Sequence, residues 1–217
     1  SLPVELLSLS SLRILNLAGN KLGTPKGEVI GIDSLPHISS IDISKNDLTH
    51  QTLQLLLAGG GHANNSKRET SRLTEIIMNN NPLRRLPIEL SRHSGLKTLR
   101  MCYCQLSSLD DIDFTVLFSL VTLDVSNNKI ASIPGSLLSS TTLEYLSIEN
   151  NELKEVPIEL GGMIKLKSLL VAGNPQRTVR TNILQQGSSK VIEWLRSRLP
   201  VSTSSSTATS TTIPAAS

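Results

Sequence analysis

The sequence predicts an α/β repeat solenoid, a horseshoe coil with a parallel sheet on its concave side, an irregular convex side and a helical C-terminal cap. Three observations predict it. One leucine motif recurs in phase along most of the chain. Hydrophobic residues make up 38% of the sequence but aromatics only 2%, so the core must be aliphatic. Near the C-terminus the motif stops, a segment with helical apolar spacing follows, and a Ser/Thr tract closes the chain. The 217 residues suffice for one domain with a sizeable core.

The motif is L-x-x-L-x-L-x-x-N-x-L. Its copies begin at Leu12, Ile38, Leu73, Leu96, Leu120, Leu143 and Leu166, and the clearest is LVTLDVSNNKI from Leu120 to Ile130. Successive copies lie 26, 35, 23, 24, 23 and 23 residues apart, mostly inside the range of the leucine-rich repeat. L-x-L is a short strand with its leucines pointing one way. One coil cannot bury those leucines alone, but stacked coils share a continuous core. Seven short parallel strands are therefore expected near the motif starts.

At the ninth position the chain turns inward and leaves backbone groups without strand partners. An amide side chain both donates and accepts, so it can satisfy them. Asn20, Asn46, Asn81, Asn128, Asn151 and Asn174 occupy this position, forming an expected structural ladder, and Cys104 replaces Asn in the fourth copy. The second halves LRRLPIEL (83–90), IASIPGSL (130–137) and LKEVPIEL (153–160) carry Pro87, Pro134 and Pro157. Proline fixes φ and removes a donor, which suits an extended or short-turn convex segment.

Two copies are stretched. The first contains GTPKGEVIGIDSLPH (23–37) and the second is enlarged between Thr49 and Arg72. The run AGGGHANNSKRET (58–70) has no apolar periodicity and reads as a flexible convex bulge. Its glycine triplet lacks the Gly-Lys-Ser/Thr that a phosphate loop needs. The opening LPVELLSLS (2–10) fits the convex half of a coil whose strand precedes residue 1, and the first residue is Ser, so an N-terminal truncation is expected. The expected domains are repeats over 1–175, a helical cap over 176–200 and a disordered Ser/Thr-rich tail over 201–217. In the cap, RTVRTNILQQ reads as a short helix, Gly187 as a break, and Ser188 or Ser189 as the cap of a second helix ending near Leu199. Trp194 and Leu195 should cover the last open coil.

The stretch AGNPQRTVRTNILQQGSSKVIEWLRSRLP (172–200) resembles the C-terminal cap of the leucine-rich-repeat-containing protein forty family and its plant relatives. The matching residues are Asn174-Pro175, Arg177, Ile183-Leu184, Gly187-Ser188 and Trp194-Leu195-Arg196. The resemblance covers roughly residues 73–200, and the Ras-group repeat scaffolds are similar more distantly through the L-P-x-x-L consensus. It implies an intracellular, non-enzymatic repeat protein and carries over no catalytic residue.

On each strand the residues between the leucines face the concave surface. The central column is Asn16, Asp42, Ile77, Arg100, Asp124, Ser147 and Leu170, flanked by Glu75, Tyr103, Tyr145 and Glu149. The expected partner-binding residues are Asn16, Asp42, Glu75, Arg100, Tyr103, Asp124, Tyr145 and Glu149, with Arg100, Tyr103, Tyr145 and Glu149 placed on the fourth and sixth strands. Arg and Tyr are frequent interface anchors. Cys102-x-Cys104 has no His/Cys cluster to complete a metal site, so neither a metal nor a cofactor is expected. His37, His50, His62 and His93 fall in connecting segments and read as surface residues, as does the basic run Arg84-Arg85, Arg92, Lys97 and Arg100 with Glu89 among it, for which an acidic partner is the alternative.

No serine–histidine–acid arrangement or other enzymatic signature appears, so an enzyme is not expected. A net charge of +3 makes no demand for nucleic acid, and no apolar stretch reaches membrane-spanning length. Two cysteines cannot supply the disulfides that close the ends of secreted repeat proteins, which favours a reducing compartment and leaves the glycosylation triplet Asn64-Asn65-Ser66 without meaning. The expected function is an intracellular protein–protein interaction scaffold, cytoplasmic or nuclear, monomeric, with another protein as partner and neither nucleic acid nor membrane. The alternatives are a regulatory subunit of a phosphatase or small-GTPase pathway, and a ligand-sensing repeat region of a receptor.

Overall fold

The computed structural model describes residues 4–23, 31–32, 35, 37–58 and 72–200. The glycine-rich run over 59–71, with His62 and the Asn64 triplet, and the tail over 201–217 lie outside the described residues.

Seven three-residue strands follow the motif starts at a constant offset: β1 Ile14–Asn16, β2 Ser40–Asp42, β3 Glu75–Ile77, β4 Thr98–Arg100, β5 Thr122–Asp124, β6 Tyr145–Ser147 and β7 Ser168–Leu170. They form one parallel sheet in sequence order. The register aligns Leu15, Ile41, Ile76, Leu99, Leu123, Leu146 and Leu169, all buried. Strands of three residues suffice because each coil bonds the next on both sides and side chains alternate, so one inward leucine per strand reaches the core.

The core lies between this sheet and the convex segments. Pro87 and Pro157 precede single turns of 310 helix at Ile88–Arg92 and Ile158–Gly162, which bury Leu90 and Leu160. Pro134 precedes the short helix that, with the enlarged second coil, gives two convex helices: α1 (His50–Ala58) and α2 (Gly135–Leu138). Proline before the first helical residue costs nothing, since that N–H has no helical acceptor.

The helix α1 fills the first part of the enlarged stretch between Thr49 and Arg72, where no helix was expected from the sequence, and it takes in Ala58, the first residue of the run read as a bulge. Its buried Leu53, Leu56 and Leu57 have helical spacing, and Thr49 Oγ1 accepts from Thr52 N–H at 3.3 Å as an N-cap. The signal was present in THQTLQLLLA (49–58) but the adjoining glycines obscured it.

Past β7 come α3 (Thr181–Leu184) and α4 (Ser188–Arg196). Val191, Ile192 and Leu195 of α4 are buried in the common core, and Trp194 is half-buried with the Arg198 guanidinium 5.1 Å from its ring centre. Gly187, at φ 90°, is the N-cap residue, where Ser188 or Ser189 was expected. Ser188 is used otherwise: its Oγ donates at 3.0 Å to the Leu169 carbonyl of the last strand. Gly161 lets the α4 backbone pass directly over the 310 turn, since a Cβ there would lie 2.6 Å from the Leu195 carbonyl carbon.

Candidate functional site

The parallel register sets the central concave column in line: Asn16, Asp42, Ile77, Arg100, Asp124, Ser147, Leu170. Adjacent members are about 4.8 Å apart, the parallel strand spacing. Asn16 and Arg100 are exposed, Asp42, Ile77, Asp124 and Leu170 half-buried, and Ser147 buried. Ser40, on β2, donates from Oγ to Glu75 Oε2 at 2.7 Å on the next strand.

Three members of the column also hold their own backbone. The Oδ1 atoms of Asn16, Asp42 and Asp124 accept N–H bonds from Ala18, Ser44 and Ser126, at 2.9, 2.9 and 3.1 Å. Asn and Asp suit this place because their short side chains bond the N–H two residues on and end the strand.

Tyr145 is half-buried, and its phenol is pushed above the ordinary range, first by burial, then by the negative charges of Asp124 and Glu149, with Arg100 opposing. Arg100, Asp124, Tyr145 and Glu149 thus share one electrostatic neighbourhood. Glu149 lies two residues beyond β6 and Tyr103 three beyond β4, so neither is on a strand. Tyr103 is 56% exposed.

The turn that carries Tyr103 was not anticipated. All seven residues at the eighth motif position have positive φ: Gly19, Lys45, Asn80, Tyr103, Asn127, Asn150 and Gly173. Glycine and asparagine tolerate the left-handed region, and they fill five of the seven places. That bias was the available signal. Lys45 and Tyr103, at φ 55° and 57°, bear a steric cost there.

Behind the face runs the amide ladder. Nδ2 of Asn46, Asn81, Asn128, Asn151 and Asn174 donates to carbonyls of the preceding coil: Leu17, Ile43, Met101, Val125 and Ile148, at 2.8–3.0 Å. Oδ1 of Asn81 accepts from Asn46 and Leu48 N–H, and that of Asn128 from Cys104 and Leu106 N–H. Asn151 and Asn174 accept from Ile130 and Leu153. Asn20, in the first coil, is exposed and among the described residues bonds to the Leu17 and Ala18 carbonyls of its own coil.

Cys104 keeps the donor half of the role, its Sγ 3.2 Å from the Met78 carbonyl. Burial pushes its thiol up to about 12, and that of Cys102 to about 11. The two sulfurs serve different coils: Cys104 turns to the third, while Cys102 accepts from Ser126 Oγ in the fifth at 3.3 Å. Both are free thiols. No group of three or more His, Cys, Asp or Glu that could hold a metal ion occurs among the described residues.

Two residues read as surface are interior. His93 is fully buried, because it occupies the place three before a motif leucine that Leu117 and Met163 fill in other coils. Glu89 is buried too, accepting from Gln54 Nε2 of α1 at 3.0 Å. His37 is exposed and His50 half-buried; Arg84, Arg92 and Lys97 are exposed, and Arg85 pairs with Asp111 at 3.0 Å.

The comparisons agree with this geometry. A leucine-rich-repeat family model matches residues 118–175, and a second such model matches residues 8–25. The fold is a leucine-rich-repeat solenoid. The chain is 25% identical over 142 residues to mouse leucine-rich repeats and immunoglobulin-like domains protein 2, covering 65% of this chain and 12% of that protein. It is 29% identical over 180 residues to the probable serine/threonine-protein kinase pats1 of Dictyostelium discoideum, covering 80% of this chain and 5% of that one. The solenoid thus spans a small part of the relatives it matches. Among solved structures, an internalin of Listeria monocytogenes superposes with TM-score 0.60 at 22% identity, covering 84% of this chain and 48% of its own. The Arabidopsis receptor kinase HAESA, in complex with a peptide hormone and a co-receptor, superposes with TM-score 0.51 at 22% identity, covering 66% and 23%.

Proposed function

We propose that this solenoid is an intracellular protein–protein interaction scaffold that binds another protein on its concave face and performs no catalysis itself. The observation that carries this reading is the register of β1–β7, which sets one row of concave-face side chains on a fixed grid. A preorganised array loses little conformational freedom on binding. The convex side offers no such regularity, since its segments are α-helical in the second coil and single 310 turns in the third and sixth. Two unpaired thiols support a cytoplasmic or nuclear setting. The cap residues Trp194-Leu195-Arg196 support kinship with the protein forty family, and the scaffold acts as a monomer.

The test isolates a partner with the wild-type chain and titrates it against the double variant Arg100→Ala/Tyr145→Ala. Loss of two interface anchors should cost about 2 kcal/mol or more for each. Unchanged affinity in a folded double variant refutes the assignment of the face. A second reading, a ligand-sensing region of a receptor, is favoured by the likeness to HAESA, whose structure contains a peptide hormone. A secretion signal and a membrane segment in the full-length gene would select it over the scaffold.

A further inference from the structure

The concave face and the chain as a whole differ in the sign of their charge. The whole sequence carries +3. At the third, fifth and seventh motif positions, which line the face, the charged residues are Asp42, Glu75, Asp124 and Glu149 against the single cation Arg100. The nearest cations stand on its borders. Arg13, Lys97 and Lys167 occupy the second position, before the strands, and Lys167 is paired with Glu144 at 2.7 Å. Lys45 stands at the turn beyond β2.

The carboxylates retain capacity for a ligand. Asp42 and Asp124 each use Oδ1 on a backbone N–H, and the Asp124 carboxylate also adjoins the Cys102 thiol. None of the three ion pairs among the described residues involves Asp42, Glu75, Asp124 or Glu149. The face is more than an acidic cluster, because its floor also holds half-buried Ile77 and the ring of Tyr145. Alkyl stems of long cationic side chains pack on such groups, and a cation is attracted to a tyrosine face.

We infer that the concave face from β2 to β6 takes a cationic extended protein segment, its Lys or Arg side chains pairing with Asp42, Glu75, Asp124 and Glu149 and one of them lying against Tyr145. This rests on the proposed function above and names the chemistry of the partner. Five strands span about 19 Å at the strand spacing, the reach of about six extended residues. Arg100 stands among the carboxylates and donates to a backbone carbonyl of the segment between its cations, which fixes the register and makes Arg100 an anchor of the same face.

The experiment uses the full chain, isotope-labelled, and two synthetic octapeptides, one alternating Lys with Gly and one alternating Glu with Gly. Backbone amide shifts are followed at low and high salt. The lysine peptide should shift amides of β2–β6 and bind at least tenfold more weakly in high salt, while the glutamate peptide shifts none of them. The triple variant Asp42→Asn/Asp124→Asn/Glu149→Gln keeps every side-chain oxygen that accepts a backbone N–H, so its spectrum should remain that of a folded solenoid while lysine-peptide affinity falls at least tenfold. Equal binding of both peptides, binding of neither, undiminished binding to the triple variant, or shifts confined to the convex side each overturn the inference. A natural partner that is lost by Arg100→Ala/Tyr145→Ala but kept by the triple variant overturns the cationic chemistry alone. A partner insensitive to both variants overturns the face itself.

Discussion

Substituting Asn128 by alanine should be among the most damaging single changes in this solenoid. Its Nδ2 serves the Met101 and Val125 carbonyls, both at 2.8 Å, and its Oδ1 serves the Cys104 and Leu106 N–H groups at 2.9 and 3.0 Å. Cys104 and Leu106 are fully buried, so water does not readily replace the lost acceptor. A buried donor left unpaired costs about 1–3 kcal/mol, and two are created here. Partial relaxation of the turn brings the expected loss to about 3 kcal/mol, within the upper range of single substitutions. Asn20→Ala is the control, because Asn20 is exposed and, among the described residues, bonds within its own coil; it should cost about 0.5 kcal/mol or less, as surface changes do. Urea unfolding followed by circular dichroism reads both, and hydrogen exchange should quicken selectively at the Cys104 and Leu106 amides in the Asn128 variant. If Asn128→Ala lies within 1 kcal/mol of wild type, or if the two variants lose equal stability, the ladder does not carry the energy assigned to it.

Gly161→Ala should displace α4, since the added carbon meets the Leu195 and Arg196 backbone; exposure of Trp194 fluorescence to quencher and a loss of about 2 kcal/mol or more are expected, and unchanged quenching refutes the packing. Tyr103→Asn should raise stability by about 0.5–1 kcal/mol by relieving the left-handed backbone, measured by thermal unfolding, and a lower melting point would show that the exposed ring contributes packing the geometry does not reveal. Cys102, with its thiol pushed up from 9.0 to about 11, should react with iodoacetamide at pH 8 about 100-fold more slowly than an ordinary thiol and tenfold faster per pH unit above that; labelling at the ordinary rate refutes the burial. Because Cys102 and Cys104 hold their protons more tightly folded than unfolded, their contribution to stability is complete below about pH 9 and is lost as pH rises through 11 toward 12, which alkaline urea titrations can follow.

The strands were legible because a period of two within L-x-L and a period near 23 between copies both report the same geometry. Each strand begins two residues after its motif leucine in all seven coils, including the two stretched ones. The helix at His50–Ala58 was less legible, since Leu53, Leu56 and Leu57 span little more than one turn before the glycines begin. His93 and Glu89 were misread for a different reason. Their burial is set by place in the coil, and residue type alone pointed outward. Counting back from the next motif leucine would have placed His93 beside Leu117 and Met163 in the interior.

The concave face resists reading from sequence because its residues serve two masters. Asn16, Asp42 and Asp124 are held at the fifth position by the N–H two residues on, and a short oxygen-bearing side chain suffices for that. Asn in the first coil meets the same backbone demand as Asp in the second and fifth. The backbone therefore explains the oxygen and leaves the negative charge unexplained. Residues free of such duty, Arg100 and Tyr145 among them, carry the remaining chemical choice at the face. Replacing Asp42 and Asp124 by Asn separates the two roles at the same atoms, for it preserves the bond that shapes the strand end and removes only the charge that a partner would meet.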